Sequence, residues 1–170
     1  TDDNFWDPKP NPASGDLSVQ GASEHAQQCV EMMKEHGIVL AVVDGEAPSD
    51  LAPWEDRLGE DRIIRGLRRI DTDIDTFRHW ASTGAIELFG EVVAIYNGLA
   101  MDDDRLMPYY DICADNDIPV AIHSGGSFPG ITRENKAFRL RLGDPFLVED
   151  ILVKYPDLRV YLMHAGGHFY

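Results

Sequence analysis

Residues 118–126 read IPVAIHSGG, and residues 158–167 read LRVYLMHAGG. The same grammar occurs twice: an apolar run, a histidine, one small residue, then two glycines. Continuous apolar, β-branched runs of this length suit strands covered on both faces, as in a parallel sheet. His123 and His164 then stand at the ends of two strands. The pairs Gly125–Gly126 and Gly166–Gly167 let the chain turn sharply and leave room beside each imidazole.

Three further strands are expected upstream: IVLAVV at 38–43, IIRGLRRI at 63–70, and 84–94 with its exit loop. Helical spacing fills the gaps. Ala26, Cys29, Val30 and Met33 recur at helical intervals within 23–36, and Gly37 is a natural stop. A short helix is expected near 54–60, and another over 71–82 with Asp71 or Thr72 as its cap. Residues 102–116 predict a helix whose acidic start, Asp102 to Asp104, suits the positive end of its dipole. Residues 144–155 predict the last helix, with Pro145 in the first turn. Residues 1–20 are rich in Pro, Asp and Asn and read as an extended N-terminal loop, which Phe5 and Trp6 could anchor.

Alternating strands and helices mean right-handed crossovers and a parallel α/β sheet. The whole of 1–170 is read as one domain. Two architectures fit: an open doubly wound sheet, or part of a (β/α)8 barrel. A complete barrel needs about 250 residues, and the chain has 170.

Composition narrows the function. Hydrophobic residues make up 44% and charged residues 26%, which excludes disorder. The formal net charge is −15, and residues 1–60 hold 13 of the 30 acids but 3 of the 15 bases. A nucleic-acid partner would need a basic surface, so none is expected, and the acidic excess reads as a solvated face. No apolar stretch approaches the roughly 20 residues of a membrane span. Cys29 and Cys113 read as buried thiols in helices. No signal peptide is visible, and the cytoplasm is the expected compartment. Export stays open because the chain begins at Thr1. There is no GxGxxG, GxxxxGK or GxSxG motif, so nucleotide-dependent and serine-hydrolase chemistries lose their usual signals.

In either architecture function collects at the C-terminal strand edge. Two histidines in matched positions on successive units point to a shared divalent ion, since neighbouring strands lie about 4.8 Å apart and imidazole is a common ligand for zinc. Glu91, in FGEVV, falls near the exit of the 84–94 strand. It could bridge metals, serve as a general base, bond a strand-end histidine, or be a surface glutamate. The loop after His123 carries Phe128, Arg133, Lys136, Arg139 and Arg141, a basic group able to hold a substrate carboxylate or to form helix-face ion pairs. Arg65, Arg68 and Arg69 pose the same choice, and ion pairing is the favoured reading of both groups. His168 is a pocket or chain-end residue. His25, His36 and His79 read as surface or packing residues.

At these residues the sequence resembles the amidohydrolase-related family of metal-dependent hydrolases, which have a TIM-barrel fold. The match runs over residues 84–126, over YPDLRVYLMHAGG at 155–167, and more loosely over EHAQQCVEMMKEHGIVLAVVDG at 24–45. The resemblance implies a partial barrel of about strands two to six. His123 then matches the fifth-strand histidine, His164 the sixth-strand histidine, and Glu91 an acidic fourth-strand position. The family's His-x-His pair and eighth-strand Asp have no counterpart here, which makes a fragment of a longer polypeptide the expected reading.

The resemblance also implies a divalent metal, zinc first and manganese next. With it comes metal-dependent hydrolysis of an amide, ester or lactone through activated water. Non-oxidative decarboxylation is the alternative within the family. His123, His164 and Glu91 are the expected metal ligands, with His164 and Glu91 also catalytic. Phe128, Arg133 and His168 are the expected substrate contacts. The partners would be a small-molecule substrate and the remaining barrel or an oligomeric copy, so the isolated chain is expected to associate. The competing reading is a non-catalytic doubly wound module with both histidines structural.

Overall fold

Five short strands carry the fold in the computed structural model, which describes residues 22–169. They are β1 (Ala41–Gly45), β2 (Ile63–Leu67), β3 (Leu88–Val92), β4 (Val120–His123) and β5 (Val160–Met163). All pairs are parallel, and their spatial order is β1-β2-β3-β4-β5. That order decides between the two architectures. A doubly wound sheet reverses direction at a switch point. A consecutive order with right-handed crossovers keeps every helix on one side, as in the wall of a (β/α) barrel. The chain is therefore an α/β fold whose strands form five successive staves of such a wall.

The helices before and between the staves are α1 (Ala22–Glu35), α2 (Ala52–Leu58), α3 (Ile74–Ser82), α4 (Met107–Asp115), the one-turn α5 (Ile131–Glu134) and α6 (Val148–Lys154). The core lies between helices and sheet. Leu67, Phe89, Val120 and Ile122 turn outward and pack with Phe77, Tyr109, Tyr110 and Ile151. Phe77 meets Phe89 edge-on at 5.0 Å, and Tyr109 stacks on Phe89 at 5.6 Å. A smaller cluster joins Val43 and Ile63 to Val30, Met33, Leu51 and Leu58. Cys113 is buried in the main core, where burial pushes its thiol far above the ordinary range. Cys29 is half-buried on α1, with its sulfur 3.5 Å from His25 Nε2.

The other face of the sheet is the inner one. Gly66, Gly90 and Ala121 line it in a row. A side chain at Gly90, where φ is +152°, would put its Cβ 2.5 Å from the Ala121 carbonyl oxygen. Small residues here let adjacent staves approach closely. Val42 and Tyr161 are more than half exposed. The strand run at 38–43 therefore differs from expectation: it is covered on the helix side, while its opposite face is open among the described residues. Residues 38–40 precede β1 and are exposed.

Several helix starts move for identifiable reasons. Asp73, not Asp71 or Thr72, caps α3: its Oδ1 accepts the Thr76 N–H at 2.9 Å. The acidic run 102–104 stands before α4 as a turn. There Asp103 takes the Arg105 guanidinium on both oxygens, at 2.7 and 2.8 Å. Pro108 lies in the first turn of α4, where its missing N–H costs no bond. Asp144 caps the last helical stretch through the Phe146 N–H at 3.0 Å. The expected loop at 1–20, with Phe5 and Trp6, lies outside the described residues. No helix among the described residues is long and apolar enough to cross a membrane.

Candidate metal centre

The site starts with an irregularity in β3. Phe89 pairs with Val120 and Val92 with Ile122, so Gly90 and Glu91 together oppose Ala121 alone. This is a β-bulge, which re-aims a side chain at the cost of one unpaired residue. Phe89 and Val92 both pack into the helix-side core. Simple alternation from Phe89 would send Glu91 the same way. The extra residue turns it instead toward the inner rim, where β4 and β5 end.

There the Glu91 carboxylate meets both strand-end imidazoles. Its Oε1 lies 2.6 Å from His123 Nδ1 and 3.0 Å from His164 Nε2. The two rings are 4.7 Å apart at 63°. The far side of His123 settles its tautomer. Nε2 is 2.9 Å from the Gly126 carbonyl oxygen, which only accepts, so Nε2 carries the proton. Nδ1 then presents either a second proton or a lone pair to Glu91. Burial alone would lower the His123 pKa, but the Glu91 carboxylate and the Gly126 carbonyl outweigh it and raise the value. The His123 hydrogen bond, helped by His164 and opposed by burial, lowers that of Glu91. Each group therefore favours the charged form of the other.

The same donors suit a divalent ion. One carboxylate and two imidazoles offer ligand atoms all within 4.8 Å of one another. A tetrahedral ion with bonds of about 2.1 Å spaces its ligands roughly 3.4 Å apart. A fixed second nitrogen on His123 is the usual way a protein orients a ligating imidazole. Access grades across the cluster: His123 is buried at 8% exposure, and the His164 side chain is half exposed.

Backbone strain concentrates at the same point. His164 has φ +61° and Ala165 φ +46°, both left-handed, followed by Gly166 at +77°. Non-glycine residues there cost on the order of 1 kcal/mol or more and persist where surroundings hold them. Ser124, fully buried, supplies that hold. Its Oγ donates to the Met163 carbonyl at 2.6 Å and accepts the Gly166 N–H at 3.0 Å, bracketing His164. Glycine is obligatory opposite: a Cβ on Gly125 would lie 2.6 Å from the Gly166 backbone.

Glu91, His123 and His164 are thus brought together. Phe128 is half-exposed on the loop after β4, and Arg133 is exposed on α5. Neither makes a hydrogen bond, ring contact or ion pair with the three. The backbone of His168 falls in the turn His164–Phe169, and its side chain lies outside the described residues. His25 packs edge-on against Trp54, while His36 and His79 are exposed. Two neighbours are not apparent from the sequence reading. Ser124 has a weak signal, the hydroxyl that separates HSGG from HAGG. Tyr96 has no spacing signal, yet its ring abuts His123 at 5.2 Å and its hydroxyl donates to Ser127 Oγ at 2.8 Å.

The charged pair predicts a pH signature in the metal-free chain. Glu91, with its lowered pKa, contributes stability fully above the ordinary carboxylate value of 4.5 and loses it as pH falls through the lowered one. His123, with its raised pKa, contributes fully below the ordinary imidazole value of 6.5 and loses it as pH rises through the raised one. Thermal melts in EDTA should show the Tm gap between the parent chain and Glu91→Gln widest from pH 4.5 to 6.5. Each kcal/mol corresponds to roughly 2–4 °C. A gap that keeps growing above that window would contradict the pairing.

Comparison with known proteins adds the family. Among curated proteins none matches the chain. Among solved structures, the crystal structure of dihydroorotase from Campylobacter jejuni is 17% identical, with a TM-score of 0.42. The match covers 67% of this chain and 35% of that one, so the chain spans about a third of that protein's length. The amidohydrolase family model matches residues 23–169, which takes in all five strands and the three clustered side chains. The chain belongs to the amidohydrolase family.

Proposed function

We propose that this chain carries part of the active site of a metal-dependent hydrolase acting on an amide, ester or lactone. One observation carries the reading: a carboxylate set between two imidazoles, one of them locked into a single tautomer by the Gly126 carbonyl. Glu91, His123 and His164 would hold the ion, zinc first and manganese next. A divalent ion held there supplies Lewis acidity and lowers the pKa of water toward neutrality.

The chain's own residues divide the remaining work. His123 stays fixed, its Nε2 proton committed to Gly126 and its Nδ1 directed at Glu91. His164 is the exposed member and the one able to meet substrate, where its imidazole can donate to oxygen that gains negative charge. Glu91, its pKa lowered by the two imidazoles, lies between both rings and would offer the ion its carboxylate. The Tyr96 ring, backed by the buried Phe138, packs against the His123 ring and helps hold it in place. We assign Phe128, Arg133 and His168 to substrate contact only as secondary candidates. The open inner face, with Val42 and Tyr161 exposed, is read as the surface covered by further barrel elements or a second copy.

Two measurements test this. Zinc-loaded protein freed of excess metal should retain about one equivalent. His123→Ala and His164→Ala should retain almost none, and Glu91→Gln should bind roughly 10–100-fold more weakly. Hydrolysis of activated esters and lactones should rise with metal and fall to background on chelation. Carbon dioxide release without hydrolysis, or equal metal retention in all variants, would overturn the reading. Sedimentation equilibrium of the purified chain should show self-association. A monomer at micromolar concentration would contradict the role given to the inner face.

A further inference from the structure

Asp44 stands one residue before the end of β1, and strand alternation sends it inward. Its neighbour Val43 packs into the helix-side core, while Val42 and Asp44 are exposed on the opposite face. The register partner of Asp44 on β2 is Gly66. A Cβ at Gly66 would lie 3.0 Å from the Asp44 Cβ and 3.1 Å from the Gly90 carbonyl oxygen. With no side chain at Gly66, Asp44 and the bulge of β3 face each other across β2. The Asp44 carboxylate uses that opening: its Oδ2 accepts the Glu91 N–H at 3.4 Å.

This contact falls where the bonding of the sheet is interrupted. A bulge leaves its surplus residue outside the ladder, and here Gly90 and Glu91 together oppose Ala121. The Glu91 N–H therefore draws its acceptor from a side chain two strands away. Among the described residues that N–H is the one hydrogen-bond donor to the Asp44 carboxylate, and no cation pairs with it. Asp44 is not itself one of the clustered ligand atoms. Only Glu91, His123 and His164 bring theirs within 4.8 Å of one another among the described residues. Asp44 meets Glu91 through the backbone, so what it controls is the direction in which the Glu91 side chain leaves the strand. Ser124 does the matching work on the other flank, where its hydroxyl brackets His164.

We infer that Asp44 is a positioning residue of the metal centre: reaching across Gly66 from β1, its carboxylate fixes the backbone of the β3 bulge and so aims Glu91 at His123 and His164. The inference rests on the proposed metal-dependent reading insofar as Glu91 is taken for a ligand. The work belongs to an acceptor oxygen at this place and not to its charge. An asparagine, which keeps a carbonyl acceptor, should therefore replace Asp44, and an alanine should not.

Two measurements on Asp44→Ala and Asp44→Asn test this. In competition with a chromogenic chelator, Asp44→Ala should bind zinc at least tenfold more weakly than the parent chain, as loss of a group that orients a ligand does. Asp44→Asn should stay within about threefold of the parent, because the amide oxygen still accepts. The second measurement is free of metal. In EDTA, inside the pH 4.5 to 6.5 window, the Tm loss caused by Glu91→Gln should shrink to less than half in the Asp44→Ala background and persist in Asp44→Asn. Parental zinc affinity in Asp44→Ala, equal losses in the two variants, or a Glu91→Gln effect indifferent to Asp44 would overturn the inference. A parent chain that retains no zinc would sink the metal-dependent reading instead, and the metal-free cycle would then decide the role of Asp44 alone.

Discussion

The Glu91 carboxylate, held between His123 and His164, is the contact on which the rest of the site depends. It ties three strands together at their exit ends, since each partner comes from a different stave. It exists only because β3 carries one residue more than β4 between Phe89 and Val92. Gly90 makes that surplus feasible, as any side chain there would run into Ala121. The glycine, the bulge and the inward carboxylate form one chain of cause, from sequence to backbone to charge. The helix-side core, built on Phe77, Phe89 and Tyr109, holds the backbone on either side of it.

Much of this is legible in the sequence, and the limits have physical reasons. The five strands follow from apolar runs between helical patterns, but right-handed crossovers fit both architectures, and the consecutive order comes from the structure. His123 and His164 stand out because a histidine closing an apolar run before two glycines has little structural excuse. Glu91 is harder. Period-two alternation from Phe89 puts it on the helix side, and only the local bulge reverses it. The left-handed backbone at His164 and Ala165 carries no composition signal, because glycine would be the expected residue there. The acidic run 102–104 misleads in a different way. Its charges suit a helix start, but Asp103 is occupied by Arg105 and the helix begins beyond it.

The rim of the sheet holds two different arrangements of side chains. Around β3 to β5 the exits bring two imidazoles and a carboxylate into contact, with the Tyr96 ring packed against His123. Around β1 to β3 they leave a wider opening with cationic and apolar sides. Arg65, from the same basic cluster as Arg68 and Arg69, instead pairs with Glu55 and Glu87. Position along a single strand thus splits one cluster: Arg65 contributes to stability, and Arg68 lies at the exit.

X-ray absorption spectroscopy of the zinc-loaded chain tests the central claim most directly. Two imidazoles and one carboxylate oxygen on a single ion should give nitrogen and oxygen scatterers at about 2.0–2.1 Å. They should also give the outer-shell features of two histidine rings, halved in His164→Ala. A spectrum of water oxygens alone, or one unchanged when either histidine is removed, would show that these three side chains do not converge on a metal.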